Sequence, residues 1–477
     1  MTDSEAAARE DAVVAHCRVR REDFRRRLKD YLACPSVSTD PDYRDGMAAA
    51  RDFLTQLLAG TGFSNVRQLD GGVGGHPALY AEWLGAPGKP TLLVYGHYDV
   101  QPPDPLELWD SPPFEATERD GRLYARGISD DKGPSMIALE ALGAFLAVEG
   151  GLPVNVKILL EGEEETGSPS LPNILMQNAA LLAADAILSA DGARWRADLP
   201  SVNVGSRGNG GFEITLRTAS TDLHSGRYGG AVPNALHELS RLVAGLHDSE
   251  DRVAVPGFYD GIEMPDEKAR ADLAAIPFDG AAWADAVGAR EKGESGYSTL
   301  ERLWDRPTLE VNGLWGGYQG AGSKTVIPKE AHAKFTARLV PGQDPQRILG
   351  LLKDHLRGLC PPEAELTFSG DRGWTKAYRV PARHPLLAAA EAALEETLGR
   401  KPLRVRIGAT LPLSDLVQEA LGIDTVMFSF STSDECFHAP NEFLRLSAIE
   451  EGVAAWVAIL RRVGQQQPAA YAPFRRR

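Results

Sequence analysis

The 477-residue chain is short of paired cysteines, long apolar runs and positive charge, and each shortage removes a class of protein. Its four cysteines, Cys17, Cys34, Cys360 and Cys436, form no CxxC pair and supply no disulfide framework, which suits a reducing compartment. No stretch approaches the roughly 20 apolar residues that a membrane span needs. The opening segment carries Arg18, Arg20, Arg21, Arg25, Arg26 and Arg27 and no apolar core of signal-peptide length. The expected location is therefore cytoplasmic. A formal net charge of −15 argues against nucleic acid or an anionic membrane as partner. There is neither an internal repeat nor a long low-complexity segment.

A chain this long exceeds one simple core, so two domains are expected. Residues 9–32 follow a helical pattern. Residues 91–95 are a short apolar run ending in Gly96, as a buried strand would be. Val154, Val156, Ile158 and Leu160 alternate before Glu161, Ile187-Leu188 makes a third strand, and residues 426–430 make a fourth. Helical patterns at 136–148 and 386–398 lie among them. This alternation predicts an α/β fold, a layered catalytic domain around a central, mostly parallel sheet.

From about Gly205 the pattern changes. Residues 212–216 and 331–340 alternate like half-exposed strands, with helix-like 236–246 and 345–356 among them. That predicts a separate α+β domain inserted into the first. The expected division is 1–204 for the first part of the catalytic domain, 205–378 for the insert and 379–477 for the second part. Residues 256–306, rich in Asp, Gly and Pro, read as an elaborate loop region, and 465–477 as a loosely ordered tail.

Five short stretches carry the chemistry: Tyr95-Gly96-His97-Tyr98-Asp99, Ser129-Asp130-Asp131-Lys132-Gly133, Glu161-Gly162-Glu163-Glu164-Glu165, Ala190-Asp191-Gly192 and Cys436-Phe437-His438. Each follows a strand-like run, and sites in open α/β sheets form just beyond the carboxyl ends of strands. Together they supply two imidazoles and several carboxylates, a set that suits two divalent ions sharing a water molecule. His97 reads as a ligand and Asp99 as the group that fixes its tautomer. An Asp of the Asp130-Asp131 pair can bridge two cations or, alternatively, cap the helix that follows. In the Glu163-Glu164-Glu165 run one Glu can bind a metal while its neighbour acts as general base. Asp191 ends an apolar run and His438 lies in a loop. His224, in the Gly-rich loop of the insert, can hydrogen-bond a developing oxyanion. Arg338, in the strand at 335–340, can clamp a carboxylate bidentately.

With these residues in view, the chain resembles the M20 family of metallopeptidases, within it the branch of carnosinase-like cytosolic dipeptidases. The resemblance runs from about residue 15 to 460 and rests on motifs in order: YGHYDVQP (95–102), LYARGISDDKGP (123–134), EGEEETGS (161–168), DLHSGRYGG (222–230), KTVIP (324–328) and RLVPG (338–342). It implies His97 and Asp191 on one metal, Glu165 and His438 on the other, and Asp130 bridging them. Glu164 would be the general base and Asp99 would orient His97. In the insert, a lid and dimerisation domain, His224 would polarise the scissile carbonyl, and Arg338 with Thr325 would hold the substrate. A homodimer through the lid is implied, with His224 and Thr325 acting across the interface. Where the branch usually reads REGGSIP, residues 406–412 read RIGATLP. Thr410 keeps a hydroxyl for the substrate's carboxylate, whereas Ile407 cannot replace a Glu as acceptor and Ala409 adds a methyl.

The expected function is hydrolysis of a dipeptide or short peptide with a free carboxylate by two divalent ions, zinc first, with manganese and cobalt admissible to an N/O donor set. One alternative is an N-acyl-amino-acid amidohydrolase or carboxypeptidase of the same family. Another, of a different class, is a non-catalytic metal-dependent carboxylate binder.

Overall fold

The computed structural model describes residues 11–72, 74–408 and 412–476. It separates into two compact units: the first runs to Val204 and resumes over Val380–Val405 and from Pro412, and the second takes Gly205–Arg379 and the short stretch beginning at Arg406. Among the described residues no helix is long and apolar enough to cross a membrane.

The sheet of the first unit is mixed, with a parallel centre. Strand Thr91–His97 pairs in parallel with Asn155–Glu161 on one side and Ala186–Ser189 on the other, and Thr425–Met427 pairs in parallel with Ala186–Ser189. Ala78–Trp83 and Ser64–Leu69 extend one side antiparallel. The central strands read as near-continuous apolar runs because both faces are covered. On one face Leu93, Tyr95, Leu159 and Ile187 pack with Leu171, Ile174 and Leu175 of helix Leu171–Gln177 and Val417 of helix Pro412–Leu421. Helix Lys132–Glu149 lies against strand Thr91–His97 and packs with Ala12–Val19, Arg21–Leu32 and Leu446–Gly464. It is buried on nearly every side over its first turns, from Lys132 to Leu142. All four parallel strands therefore deliver their carboxyl ends to one edge of the sheet, where the stretches of His97, Glu161–Glu165 and Asp191 begin, whereas the Asp130 stretch follows Arg122–Tyr124 of a separate antiparallel sheet.

The second unit is built on a four-stranded antiparallel sheet in the order Thr308–Gly316, Glu330–Leu339, Gly208–Arg217, Glu365–Thr375. Strand Gly208–Arg217 alternates buried and half-buried residues along its length, as a one-sided sheet requires. Phe212, Ile214 and Leu216 form one core with Leu239 and Leu242 of helix Ala235–Ala244 and Ile348, Leu352 and Leu356 of helix Pro345–Leu359.

Three expectations need correction. The region 256–306 is not an elaborate loop throughout, because it contains helices Glu267–Ala274, Gly280–Asp285 and Thr299–Trp304. Each starts at a side-chain cap (Asp266, Asp279 and Ser298), and short caps of this kind outweigh a composition rich in Gly and Pro. Nor is 465–477 a loose tail over its described part. Tyr471 is fully buried and donates to Gln466 Oε1 at 2.6 Å, Arg475 pairs with Asp185 at 2.7 Å, and the Arg476 N–H bonds the Gly422 carbonyl at 2.8 Å. The stretch from Arg406 joins the second unit, whereas 379–477 had been taken whole as the first. Arg406 pairs with Asp305, and Arg207 Nε donates to the Gly408 carbonyl at 2.9 Å.

Candidate metal centre

His97 is the last residue of strand Thr91–His97 and is fully buried. Gly96 before it permits a close approach: a Cβ there would lie 2.0 Å from Ser135 Oγ and 2.7 Å from Asp131 Oδ2. The imidazole Nδ1 lies 3.0 Å from the Asp99 carbonyl and 3.4 Å from Asp99 Oδ1. Both are acceptors, so Nδ1 carries the proton and donates, and Nε2 is the atom left for a ligand. Asp99, also fully buried, accepts from Ser38 Oγ at 2.7 Å and from the Glu164 and Glu165 N–H groups at 3.3 and 3.1 Å. One carboxylate thus aims the imidazole and anchors the turn of the acidic run.

That turn separates the labour of the three glutamates. Glu163 faces away, accepting from His76 N–H at 2.8 Å and Ser170 N–H at 3.0 Å, and so holds the loop. The Glu165 side chain is 2% exposed, and its Oε2 lies 3.1 Å from His438 Nε2. Glu164 opens the 3-10 turn Glu164–Thr166. Burial drives its carboxyl well above the usual range, with Asp191, Asp130 and Glu165 adding to the rise against the pull of His97. A carboxyl kept from ionising easily in such a pocket is suited to carry a proton.

Asp130 stands at the middle. Its Oδ1 lies 3.1 Å from His97 Nε2 and its Oδ2 lies 3.1 Å from His438 Nε2. Helix capping does not occupy it: the residue at the cap of Lys132–Glu149 is Asp131, whose Oδ2 accepts from His97 N–H at 3.1 Å and Ser135 Oγ at 2.6 Å. His97, Asp130 and Asp191 bring one ligand atom each within 4.8 Å of one another, and so do Asp130, Glu165 and His438. These are two trios with one shared carboxylate.

The charges within the cluster are tightly interdependent. Burial opposes a charged His97, yet hydrogen bonds to Asp130 and Asp99 hold its imidazole well above the ordinary range. Hydrogen bonds to Asp130 and Glu165 push His438 up to about 10. Burial pushes Asp191 up to about 6, while Asp130 is held below the usual carboxylate range by His438 and His97 against its own burial. Acids that raise imidazole basicity this far make a strongly cation-favouring pocket. Two imidazole nitrogens and three carboxylates, one able to serve both trios, fit two divalent ions by donor type and arrangement.

The remaining site expectations fall in the second unit. His224 and Thr325 are neighbours: His224 pairs with Val326, the Ser225 N–H bonds the Thr325 carbonyl at 3.1 Å, and both residues are exposed. His224 Nδ1 accepts from Gly226 N–H at 3.0 Å. Arg338 lies half-buried on strand Glu330–Leu339, between Thr308 and Asn209. Thr410 and Ala409 lie outside the described residues.

Three residues that sequence reasoning missed surround the centre. Ser38 holds Asp99; Gln101 Nε2 donates to Glu165 Oε2 at 2.8 Å; and Glu442 accepts from the N–H groups of Gly127, Ser129 and Asp130 at 2.8, 2.8 and 3.1 Å. Gln101 could have been suspected from its place in YGHYDVQP. Ser38 and Glu442 carried no signal beyond residue type. The loop that brings in His438 is itself strained. Cys436, His438 and Asn441 have φ of 58°, 56° and 62°, a left-handed conformation costing about 1–2 kcal/mol for each residue with a Cβ.

Residues 93–462 match the family model described as Peptidase family M20/M25/M40. The chain is 30% identical over 476 residues to the Beta-Ala-His dipeptidase of Mus musculus, covering 95% of each. It is 28% identical to the Cys-Gly metallodipeptidase of Saccharomyces cerevisiae, over 92% of this chain and 94% of that one. The crystal structure of an M20 family metallo-carboxypeptidase from Sulfolobus solfataricus superposes with a TM-score of 0.79 at 31% identity, covering 93% of this chain and 100% of that one. With a match that takes in all five acid- and histidine-bearing stretches, the chain belongs to the peptidase family M20/M25/M40.

Proposed function

We propose that this protein hydrolyses dipeptides or short peptides with a free C-terminal carboxylate, using two divalent ions, zinc first, held by His97, Asp191, Glu165 and His438 and bridged by Asp130. One observation carries the reading: the two oxygens of Asp130 each face a different imidazole at 3.1 Å, and each imidazole belongs to its own ligand trio. Two divalent ions held there would supply Lewis acidity toward a peptide carbonyl and would make a nearby water easier to deprotonate. Glu164 would accept a proton from the attacking water on its carboxylate and hand it to the leaving amine. Asp99 keeps His97 in the ligand tautomer and holds the Glu164 backbone in place. By motif position, His224 would polarise the scissile carbonyl, Arg338 with Thr325 would hold the substrate, and Arg338 and Thr410 would anchor its carboxylate. The same resemblance supports a homodimer, as do the exposed apolar side chains of the edge strand Thr308–Gly316, Val311, Leu314 and Trp315.

The dipeptidase reading draws on two relatives whose names specify dipeptides, Beta-Ala-His and Cys-Gly. A second reading, carboxypeptidase or N-acyl-amino-acid amidohydrolase, is favoured by the similarity to the Sulfolobus carboxypeptidase. Hydrolysis of free dipeptides set against their N-acetylated counterparts separates the two, since a dipeptidase requires the free amine. The mechanism is tested by Glu164→Gln. The variant is expected to keep its metal content and lose about 10²–10⁴-fold in kcat. Near-normal turnover with metal bound would exclude Glu164 as the base.

A further inference from the structure

Glu442 is the most heavily engaged buried acid beside the centre, and no step of the proposed reaction uses it. It is 1% exposed. Its Oε2 accepts from Arg126 Nη1 and Gly127 N–H, both at 2.8 Å, and its Oε1 accepts from Ser129 N–H at 2.8 Å and Asp130 N–H at 3.1 Å. The two carboxyl oxygens thus accept two hydrogen bonds each, one for every lone-pair direction they offer. Three of those donors are main-chain groups between 127 and 130, and the Asp130 side chain leaves that main chain toward both imidazoles.

Glu442 also ends the segment that carries His438. Cys436, His438 and Asn441 all have left-handed φ, a conformation that persists only where surrounding contacts over-determine it. At the end of that segment Asn441 accepts from Asp110 N–H at 2.9 Å and donates to the Leu108 carbonyl at 3.0 Å, and Glu442 follows with its four bonds. The strand Phe443–Arg445 then pairs with Arg122–Tyr124, the strand that leads into the Asp130 loop. Two further contacts tie the same pair of segments: Ser129 Oγ donates to Glu435 Oε2, and Ser431 Oγ donates to the Ser129 carbonyl at 2.6 Å.

We infer that Glu442 is a positioning residue of the metal centre. Its carboxylate sets the Asp130 main chain from one side while its own segment presents His438 from the other. The separation of the bridging carboxylate from one imidazole therefore depends on a residue that touches neither ion. The inference rests on the dinuclear reading above. Outer groups that orient ligands typically change metal affinity 10–100-fold when removed.

The test is zinc affinity by chelator competition, with total zinc per protein counted, for the wild type, Glu442→Gln and Tyr471→Ala. Tyr471 is a buried residue of the same unit without a place in the centre, so its variant reports what destabilisation alone does. Glu442→Gln turns one acceptor oxygen into a donor that must face an N–H, and it is expected to weaken zinc binding 10–100-fold. Its activity should return as zinc is raised, while Tyr471→Ala keeps wild-type affinity. If Glu442→Gln does not fold, Glu442→Asp, with the same charge set back by one methylene, is expected to shift affinity in the same direction. Wild-type zinc affinity in whichever Glu442 variant folds, or a loss no larger than in Tyr471→Ala, overturns the inference. A wild type that binds fewer than two zinc ions overturns the dinuclear reading instead.

Discussion

Asp130 shows what a single residue is asked to do in this fold. It offers one oxygen to each imidazole, while its neighbour Asp131 holds the N-cap position and accepts from His97 N–H and Ser135 Oγ. His384 illustrates the opposite use of a titratable group, a buried one kept neutral. Its Nδ1 caps helix Pro385–Leu398 by accepting from Leu386 N–H at 3.3 Å, its ring meets Tyr471 and Phe474 edge-on, and Asp424 Oδ2 lies 4.0 Å from Nε2. Burial pushes its imidazole down to about 4 from an ordinary 6.5. Between those values the unfolded chain binds a proton that the folded chain refuses. The contribution is thus complete above about pH 6.5 and is lost as pH falls toward 4. Urea unfolding at pH 7.5 and pH 5 should show the wild type losing about 2 kcal/mol more than His384→Asn, which retains a capping side chain without the titration. Equal losses in the two proteins would remove His384 as the cause.

Residues of the centre differed in how visible they were in the sequence. His97 and Asp191 were legible because each ends an apolar run, and strand ends of a parallel sheet are where sites gather. The division among Glu163, Glu164 and Glu165 was not legible, since consecutive acids look alike until His76 and Ser170 are seen to claim Glu163. Glu442 was hidden for another reason: three of its four donors are backbone N–H groups more than 300 positions away, and main-chain donors leave no trace in residue type.

At the scale of elements, periodicity revealed what it could and missed what it is blind to. Long buried strands such as Asn155–Glu161 and the two-faced helix Pro345–Leu359 announce themselves by pattern. The short helices between 256 and 306 span too few turns to show a stripe. Their legible signals were caps, above all the Ser298–Glu301 capping box, where both reciprocal bonds form. What secures this region is a buried pair. Arg306 donates to both oxygens of Glu294 at 2.6 Å, and its guanidinium lies over the rings of Tyr259 and Tyr297. Arg306→Met removes both bonds from a buried carboxylate, leaving it Arg252 Nε at 3.4 Å, and should cost about 3 kcal/mol in chemical denaturation. Replacing Glu294 with Leu in the same chain should recover most of that loss. A single variant as stable as the wild type would show that the pair contributes nothing.

For the molecule as a whole, the proposed homodimer makes a claim about a surface. Val311, Leu314 and Trp315 are 40%, 51% and 37% exposed on a strand that, among the described residues, forms the edge of its sheet. Such an edge invites pairing with another chain unless charge guards it. Light scattering should give the mass of a dimer, and Val311→Lys with Leu314→Lys should reduce it to a monomer with the fold retained. A monomeric wild type at micromolar concentration would contradict this.

Two ions sharing Asp130 would be visible by anomalous diffraction at the zinc edge from crystals of the zinc-loaded protein. Two peaks about 3.5–4 Å apart are expected, one on each side of the Asp130 carboxylate. The first should lie beside His97 and Asp191, the second beside Glu165 and His438. A single peak, or a pair that does not share Asp130, would contradict this.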